Sequence, residues 1–313
     1  MDKIVIGIPR SLYYHYFKDL WLSFFQGLNI KVVVSPKTTK DIVMLGSKYG
    51  SDEMCTAMKN YLGHVAYLKD KCDYILIPRI DNYGIENQTC TNYLSCYDIV
   101  NNLITNKIID YNIDINHGKT EEKAFIQIGK ILGYDTEFTK RVYYEALTVA
   151  NNKKDAIVKA NMVALKSEHT KLLIVAHPYI IHDSYFGDEI KNYLKKQNVD
   201  VIYSDRFNSS LTSRMSKMYS KELYFKYSKE NIGALALTRK LIDGVIFLTA
   251  FPCGPDSLTN ELVIRKIDIP YLQLIQDDLD GVAGMETRLE SFLDIIERKK
   301  VHEKTKCFIS TYG

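Results

Sequence analysis

The sequence predicts an α/β fold made of two Rossmann-like parallel-sheet domains, each with helices on both faces. Short apolar runs that end at a proline or a polar turn alternate with segments of helical period along the chain. Strands separated by helices pair in parallel. The alternation occurs twice, and long helical stretches between Glu121 and Lys166 part the two series. At 313 residues the chain is also longer than one compact core usually holds. The division is placed at 1–155 for an N-terminal domain and 156–313 for a C-terminal domain.

Each element has a local reason. Lys3 to Ile8 is an apolar run stopped by Pro9-Arg10-Ser11, and Phe17, Leu20, Trp21, Phe24, Phe25 and Leu28 then recur at helical spacing, which predicts a helix from Tyr13 to Leu28. Lys31 to Val34 repeats the strand signal, and Thr38 or Thr39 can cap a helix running towards Tyr49. Ser51-Asp52-Glu53 offer capping and acidic first-turn residues for a helix from Met54 to Lys69. Asp73 to Ile77 reads as a third strand closed by Pro78, with a helix from Tyr93 to Thr105 after a polar loop. Lys107 to Ile115 is the fourth strand. Helices over Glu121 to Leu132 and Thr136 to Lys166 follow, the polar Asn151 to Asp155 being an exposed turn of the latter. The second series of strands is Lys171 to Ala176, Val199 to Tyr203, Asp243 to Leu248 and Pro270 to Ile275. Its helices are expected at Gly187 to Lys196, Tyr219 to Leu241, Asp256 to Lys266 and Met285 to Lys299. Prolines 9, 78, 178 and 252 read as parallel solutions to stopping a strand, not as a sequence repeat.

The chemistry gathers around Asp243 to Leu258. An apolar strand leads to Phe251-Pro252-Cys253-Gly254, and Pro255-Asp256 suit a helix opening: the first turn does not need the donor that proline lacks, and an Asp oxygen can cap free N–H groups. Cys253 thus stands at a strand end and a helix start, where open α/β sheets bind ligands and where the positive helix end favours an anion. Cys55, near a helix start, and Cys90, in a loop beyond a strand, fall on the same rim, and the dipole predicts a Cys55 thiol more acidic than usual. Three thiols far apart in sequence suit an iron–sulfur cluster at a domain interface better than structural zinc, which more often uses closely paired Cys-x-x-Cys ligands. Ordinary buried cysteines are the competing reading. Cys96 can reach this rim as an additional ligand or pack under its helix, while Cys72, at the amino end of a strand, and Cys307, in the tail, read as structural.

His177 is a candidate for substrate binding or proton handling, and Arg10 and Arg79, each just past a proline, are candidates for an anionic substrate. His64, in the middle of a helix, reads as a buried, hydrogen-bonded histidine. Neither Gly-x-Gly-x-x-Gly nor Gly-x4-Gly-Lys-Ser/Thr occurs, which argues against ATP hydrolysis or ordinary dinucleotide binding by this chain. The apolar and charged fractions, 46% and 25%, are those of a globular protein, and a net charge of +3 calls for no nucleic acid. No apolar run has membrane length or the form of a signal segment, so a cytoplasmic location is expected. Six cysteines in such a chain argue against a disulfide framework.

With these residues assembled, nearly the whole chain resembles the acyl-CoA dehydratase activase-related proteins, relatives of the cluster-bearing subunits of 2-hydroxyacyl-CoA dehydratases and of double-cubane-cluster proteins. The resemblance is carried by Ile6 to Arg10 with Leu20-Trp21 and Phe24-Phe25, by Asp52 to Cys55 with Gly63-His64, by Tyr74 to Arg79, by Cys90, by His177 to Tyr179, and by Phe251 to Ser257 with Thr287 to Glu290. It implies Cys55, Cys90 and Cys253 as ligands of a [4Fe–4S] or double-cubane cluster. It also implies a separate ATP-dependent activase as electron donor, and reduction or dehydration of a small substrate such as an acyl-CoA thioester. A homodimer or complex is expected, with Tyr219 to Tyr227 as a face. The alternative is a non-enzymatic binding or iron–sulfur assembly protein on the same scaffold. The chain departs from the family where Thr56-Ala57 and Thr91-Asn92 replace a proline after the first two cysteines, where Cys96 replaces an apolar residue, and where Val282 replaces an acidic one.

Overall fold

A computed structural model describes residues 4–277 and 284–312, with side chains as far as residue 302. Val282 lies outside the described residues, as does the Cys307 side chain. The first half runs β1 (Val5–Ile8), α1 (Tyr14–Gly27), β2 (Lys31–Val34), α2 (Lys40–Tyr49), α3 (Thr56–Leu68), β3 (Tyr74–Asn82), α4 (Thr91–Leu103) and β4 (Lys107–Asp114). Two helices, α5 (Glu121–Ile131) and α6 (Thr136–Ala164), lead to the second half. That half runs β5 (Lys171–Ala176), α7 (Pro178–Ile181), α8 (Ser184–Lys196), β6 (Asp200–Tyr203), α9 (Ser209–Met215), α10 (Lys226–Thr238), β7 (Gly244–Ala250), α11 (Gly254–Ile264), β8 (Tyr271–Gln276) and α12 (Met285–Tyr312). The described strands form two parallel four-stranded sheets of the same order, β2-β1-β3-β4 and β6-β5-β7-β8. The two Rossmann-like sheets expected from the alternation are therefore present. Their cores are not separate: one cluster of buried side chains runs from Ile6, Phe24 and Tyr111 of the first half to Ile174, Ile246 and Phe292 of the second.

Several local expectations are corrected. Pro78 does not stop β3, which continues to Asn82 and pairs with β4 throughout, Pro78 lying opposite Tyr111. The β1 side of β3 is paired only at Tyr74 and Ile75, so beyond them the strand has an open edge, where a missing donor costs nothing. Ser51 and Asp52 do not cap α3; its N-cap is Cys55 itself, with no side-chain cap. The helix expected from Tyr219 begins only at Lys226, because the backbone before it is used elsewhere: Gln88 N–H donates to Tyr224 O, and Lys226 N–H donates to Gln88 O, both at 2.9 Å. Tertiary pairing overrides the periodicity there, and the aromatic face imagined for a partner is not a helical face. Tyr219 and Tyr227 are buried. The short helix α9 was not anticipated, whereas α6 is continuous through Asn151 to Asp155 and the tail is helical.

Glycines set the spacing of two helix pairs. A Cβ on Gly63 of α3 would overlap the carbonyl oxygen of Ile42 in α2, and one on Gly233 of α10 would overlap the carbonyl oxygen of Thr212 in α9. Next to the first contact lies His64, fully buried as expected, with Nδ1 2.8 Å from Ser35 Oγ and Nε2 3.0 Å from Thr38 Oγ1. Burial, aided by the nearby Arg10 charge, lowers its pKa to about 3. The folded value lies below the unfolded one of about 6.5, so unfolding takes up a proton. The associated stability is full above pH 6.5 and falls by about 1.4 kcal/mol per pH unit as the pH drops towards 3. Denaturant unfolding at pH 7, 6 and 5 should show this slope, and it should be smaller by about that amount in His64→Gln. Equal slopes would remove His64 as the cause.

Candidate functional site

The three thiols singled out in the sequence each occupy the N-cap of a helix: Cys55 of α3, Cys90 of α4 and Cys253 of α11. All three helices run back from the carboxyl edges of the sheets, so their starts lie on the functional rim. Two contacts stitch the starts together. Asn92 Nδ2 donates to Cys55 Sγ at 3.3 Å, and Thr56 N–H donates to Phe251 O at 2.7 Å, with Thr56 Oγ1 donating to the same oxygen at 3.0 Å. Thr56 and Asn92, each just after a cysteine, therefore link the cysteine loops to one another.

Two of the thiols act electrostatically on others: Cys55 on Cys90, and both of them on Cys253. Their surroundings raise the thiol pKa values, contrary to the acidic Cys55 that the helix dipole predicts. Burial is the largest cause for all three; at Cys253 the Asp256 charge adds to it, and at Cys90 the Cys55 sulfur. Cys90 is pushed up to about 11. Backbone N–H groups oppose the shift without reversing it, those of Ala57 and Met58 at Cys55, of Asn92 and Tyr93 at Cys90, and of Asp256 at Cys253. The desolvation of a thiolate outweighs a few aligned donors.

The spacing of the sulfurs bears on what they can hold. They do not form a group whose ligand atoms all lie within 4.8 Å of one another. A single zinc ion bound tetrahedrally at 2.3 Å needs sulfurs about 3.8 Å apart. Thiols that do not close to this spacing do not suit one tetrahedral zinc ion. Among the described residues the group that does meet the close criterion is Asp81, Asp114 and His117. Asn82 Nδ2 bridges its two carboxylates at 3.2 and 2.8 Å, and His117 Nδ1 lies 2.7 Å from Asp114, so the group is bonded internally.

Beside Cys253 lies a chain of buried polar groups that sequence reading found only in part. Tyr16 Oη is 2.7 Å from His177 Nδ1, His177 Nε2 is 3.1 Å from Asp256 Oδ1, and Ser228 Oγ donates to the same oxygen at 2.7 Å. Burial works against ionisation of Asp256, but His177, with hydrogen bonds from Ser228 and Cys253, holds its carboxyl below the usual range. An ionised Asp256 only accepts, which fixes the proton of the imidazole on Nε2 and lets Nδ1 accept from the Tyr16 hydroxyl. Asp256 does not cap α11, as its position near the helix start suggested; it turns inward to His177. Around this chain packs an aromatic layer from both halves. Tyr16 and Tyr227 have ring centroids 4.2 Å apart, His177 stacks on Tyr179 at 4.8 Å, and Tyr83 Oη meets Tyr227 Oη at 2.8 Å. Burial pushes these phenols up, so they stay protonated. Lys229 Nζ donates across the same boundary to Glu86 O at 2.7 Å.

The remaining candidates have partners of their own, though Cys90 also acts electrostatically on Cys96. Arg10 donates through Nε to Ser35 O at 2.9 Å, and Arg79 pairs with Asp98 at 2.9 Å while covering the Tyr97 ring. Neither is among the main influences on the three thiols. Cys96 is fully buried under α4 and hydrogen-bonded with Tyr61, with burial pushing its thiol up to about 12. Cys72 is half-buried, 3.6 Å from Leu68 O. These two and the three rim thiols are all free. No described helix is long and apolar enough to cross a membrane.

Comparison with known proteins gives one family. Residues 5–207 match the model of the family described as "CoA enzyme activase uncharacterised domain". The match covers Cys55, Cys90 and His177 and ends before Cys253. No curated protein matches the chain. Among solved structures, the nickel-bound substrate-binding protein FpvC of P. aeruginosa is 11% identical over 95% of this chain and 96% of its own, with a TM-score of 0.31. ZnuA is 10% identical over 95% and 99%, with a TM-score of 0.26, and zinc-bound AdcA of Streptococcus pneumoniae is 12% identical over 95% and 57%, with a TM-score of 0.28. Likenesses this weak carry no conclusion.

Proposed function

Because this chain belongs to the CoA enzyme activase uncharacterised domain family, we propose that it is an iron–sulfur component of an activase-dependent CoA-enzyme system. In this reading Cys55, Cys90 and Cys253 hold a [4Fe–4S] or double-cubane cluster at the rim. Such a group, when bound, supplies a store for a low-potential electron and an iron with an open position for substrate. The electron comes from a separate ATP-dependent activase, since this chain carries neither common phosphate-binding loop. The product of the system is a reduced or dehydrated small substrate, an acyl-CoA thioester being the class that the family points to.

The observation that supports this best is the convergence of three helix starts, each capped by a cysteine and joined to the others through Asn92 and Thr56. Three partly buried thiols whose ionisation the surroundings oppose are brought to one rim, and a shared cation would stabilise them as thiolates. The chain's own residues then have plain tasks. The helix starts donate to the sulfurs, the tyrosine layer keeps water out, and Asp256 holds His177 with a proton on Nε2 while Tyr16 fixes the other side of the ring. In this reading His177, buried between Asp256 and Tyr16, is the group that holds or moves a proton.

Anaerobic purification, reconstitution with ferrous iron and sulfide, and assay of both elements test the reading. A brown protein with near-stoichiometric iron and sulfide is expected. A colourless chain that retains neither would overturn it in favour of a binding or assembly protein without a cluster.

A further inference from the structure

We infer that a cavity at the amino edge of the second sheet binds a nucleoside monophosphate, at a site separate from the thiol rim and independent of what the thiols hold. The cavity has a volume of about 400 Å³, within the range of small-ligand sites. It lies where strands start. Ile242 and Asp243 stand just before β7, Asp268 and Ile269 just before β8, and the residues that follow α10, together with α12, line its sides. Cys253 comes after the opposite end of β7, about 20 Å away by the rise of a strand of 7 residues.

The lining charges point to a phosphate. Arg239, Lys240, Lys299 and Lys300 face only two carboxylates, Asp243 and Asp268, so however these pair within the cavity, two positive charges are left over. Asp243 is already committed: it accepts from Lys171 N–H at 2.7 Å and pairs with Lys300 at 3.0 Å. Lys299 Nζ donates to the Asp268 carbonyl oxygen at 3.0 Å, a contact that positions the ammonium without cancelling its charge. Like charges gathered in a concavity focus their field on a counter-ion, and a phosphate monoester carries close to the two negative charges needed. Arg239 adds a planar fork that matches two phosphate oxygens. A free phosphate would leave most of the volume unfilled, and Ile242, Ile269 and Ile296 make part of the wall apolar. A nucleoside supplies a flat ring for that wall and ribose hydroxyls for which the Asp268 carboxylate is an acceptor.

Isothermal titration calorimetry of the full chain with AMP, inorganic phosphate and adenosine is the test. AMP should bind with a Kd below about 100 µM, and phosphate and adenosine each at least about tenfold more weakly. Arg239→Gln and Lys240→Gln should each weaken AMP by about tenfold while keeping the circular dichroism of the parent. Lys240 is exposed, so its replacement removes charge without disturbing the core. Lys130→Gln, on α5 and outside the cavity, should leave AMP binding unchanged. Absence of AMP binding up to about 1 mM overturns the inference. So does AMP binding that both cavity variants retain in full, or binding of phosphate or adenosine as tight as that of AMP.

Discussion

Single replacement of Cys55, Cys90 or Cys253 by alanine should lower the iron retained after anaerobic reconstitution by about tenfold or more, while Cys72→Ala should retain as much as the parent. The asymmetry follows from position. The first three cysteines hold the N-cap positions of helices on one rim, Cys55 and Cys90 both acting on Cys253, whereas Cys72 sits at the amino end of β3 against Leu68 O. Loss of a ligand removes a bond to the metal and also leaves the remaining thiolates facing each other in a desolvated site. Asn92→Leu is a milder probe, since it removes one hydrogen bond to Cys55 Sγ and no ligand. Iron and sulfide assays on the same preparations give the answer. Full retention in any of the three alanine variants would remove that cysteine from the ligand set.

Gly63→Ala and Gly233→Ala should each destabilise the fold by about 3 kcal/mol, the upper part of the range for overpacking. Alanine raises helix propensity by about 1 kcal/mol over glycine, but here the added methyl meets a carbonyl oxygen of the neighbouring helix, Ile42 in one case and Thr212 in the other. Backbone atoms cannot swing aside as a side chain can, so the helices must separate. The companion contact makes this worse for the first pair, because Gly46 of α2 approaches Lys59 of α3 just as closely. Gly254→Ala is the control: nothing lies within 4 Å of its Cβ position, and its stability should match the parent. Chemical denaturation of the three variants separates the outcomes, and parent-like stability in Gly63→Ala and Gly233→Ala would show that the helix pairs can part at little cost.

Much of this fold is legible in the sequence because strands and helices of an α/β protein carry different periods. The apolar runs beginning near Val5, Lys31, Lys171 and Asp200 all became strands within a residue or two. What failed was decided by neighbours distant in sequence. Pro78 looks like a stop until the open edge beside it is known, and Tyr219 to Phe225 looks helical until Gln88 takes its backbone. At the site, strand ends and helix starts pointed to Cys55, Cys90 and Cys253, since those positions follow from local pattern. The acidity expected of Cys55 did not, because burial depends on what packs over a residue and outweighs the helix dipole. Tyr16, Ser228 and the inward turn of Asp256 were invisible for a related reason. Tyr16 and Asp256 meet His177 from 161 and 79 positions away, Ser228 meets Asp256 from 28, and only the tertiary fold brings them together.

The shared strand order of the two halves extends to their internal measure. The cap of the helix before the third strand and the first residue of that strand are 19 positions apart in both, Cys55 to Tyr74 and Phe225 to Gly244, and the crossing glycine comes 8 positions after the cap in each. After the third strand each half starts a helix on a cysteine, Cys90 in one and Cys253 in the other. Four stations therefore correspond in pairs, and they differ at one pair only: a thiol at Cys55, a phenyl ring at Phe225. What the halves share spaces their helices and strands, and what distinguishes them lies at the mouth. The consequence is one of polarity. A rim with four equal stations has no polarity, but a rim with three sulfurs and one hydrocarbon has a sulfur side and an oily side.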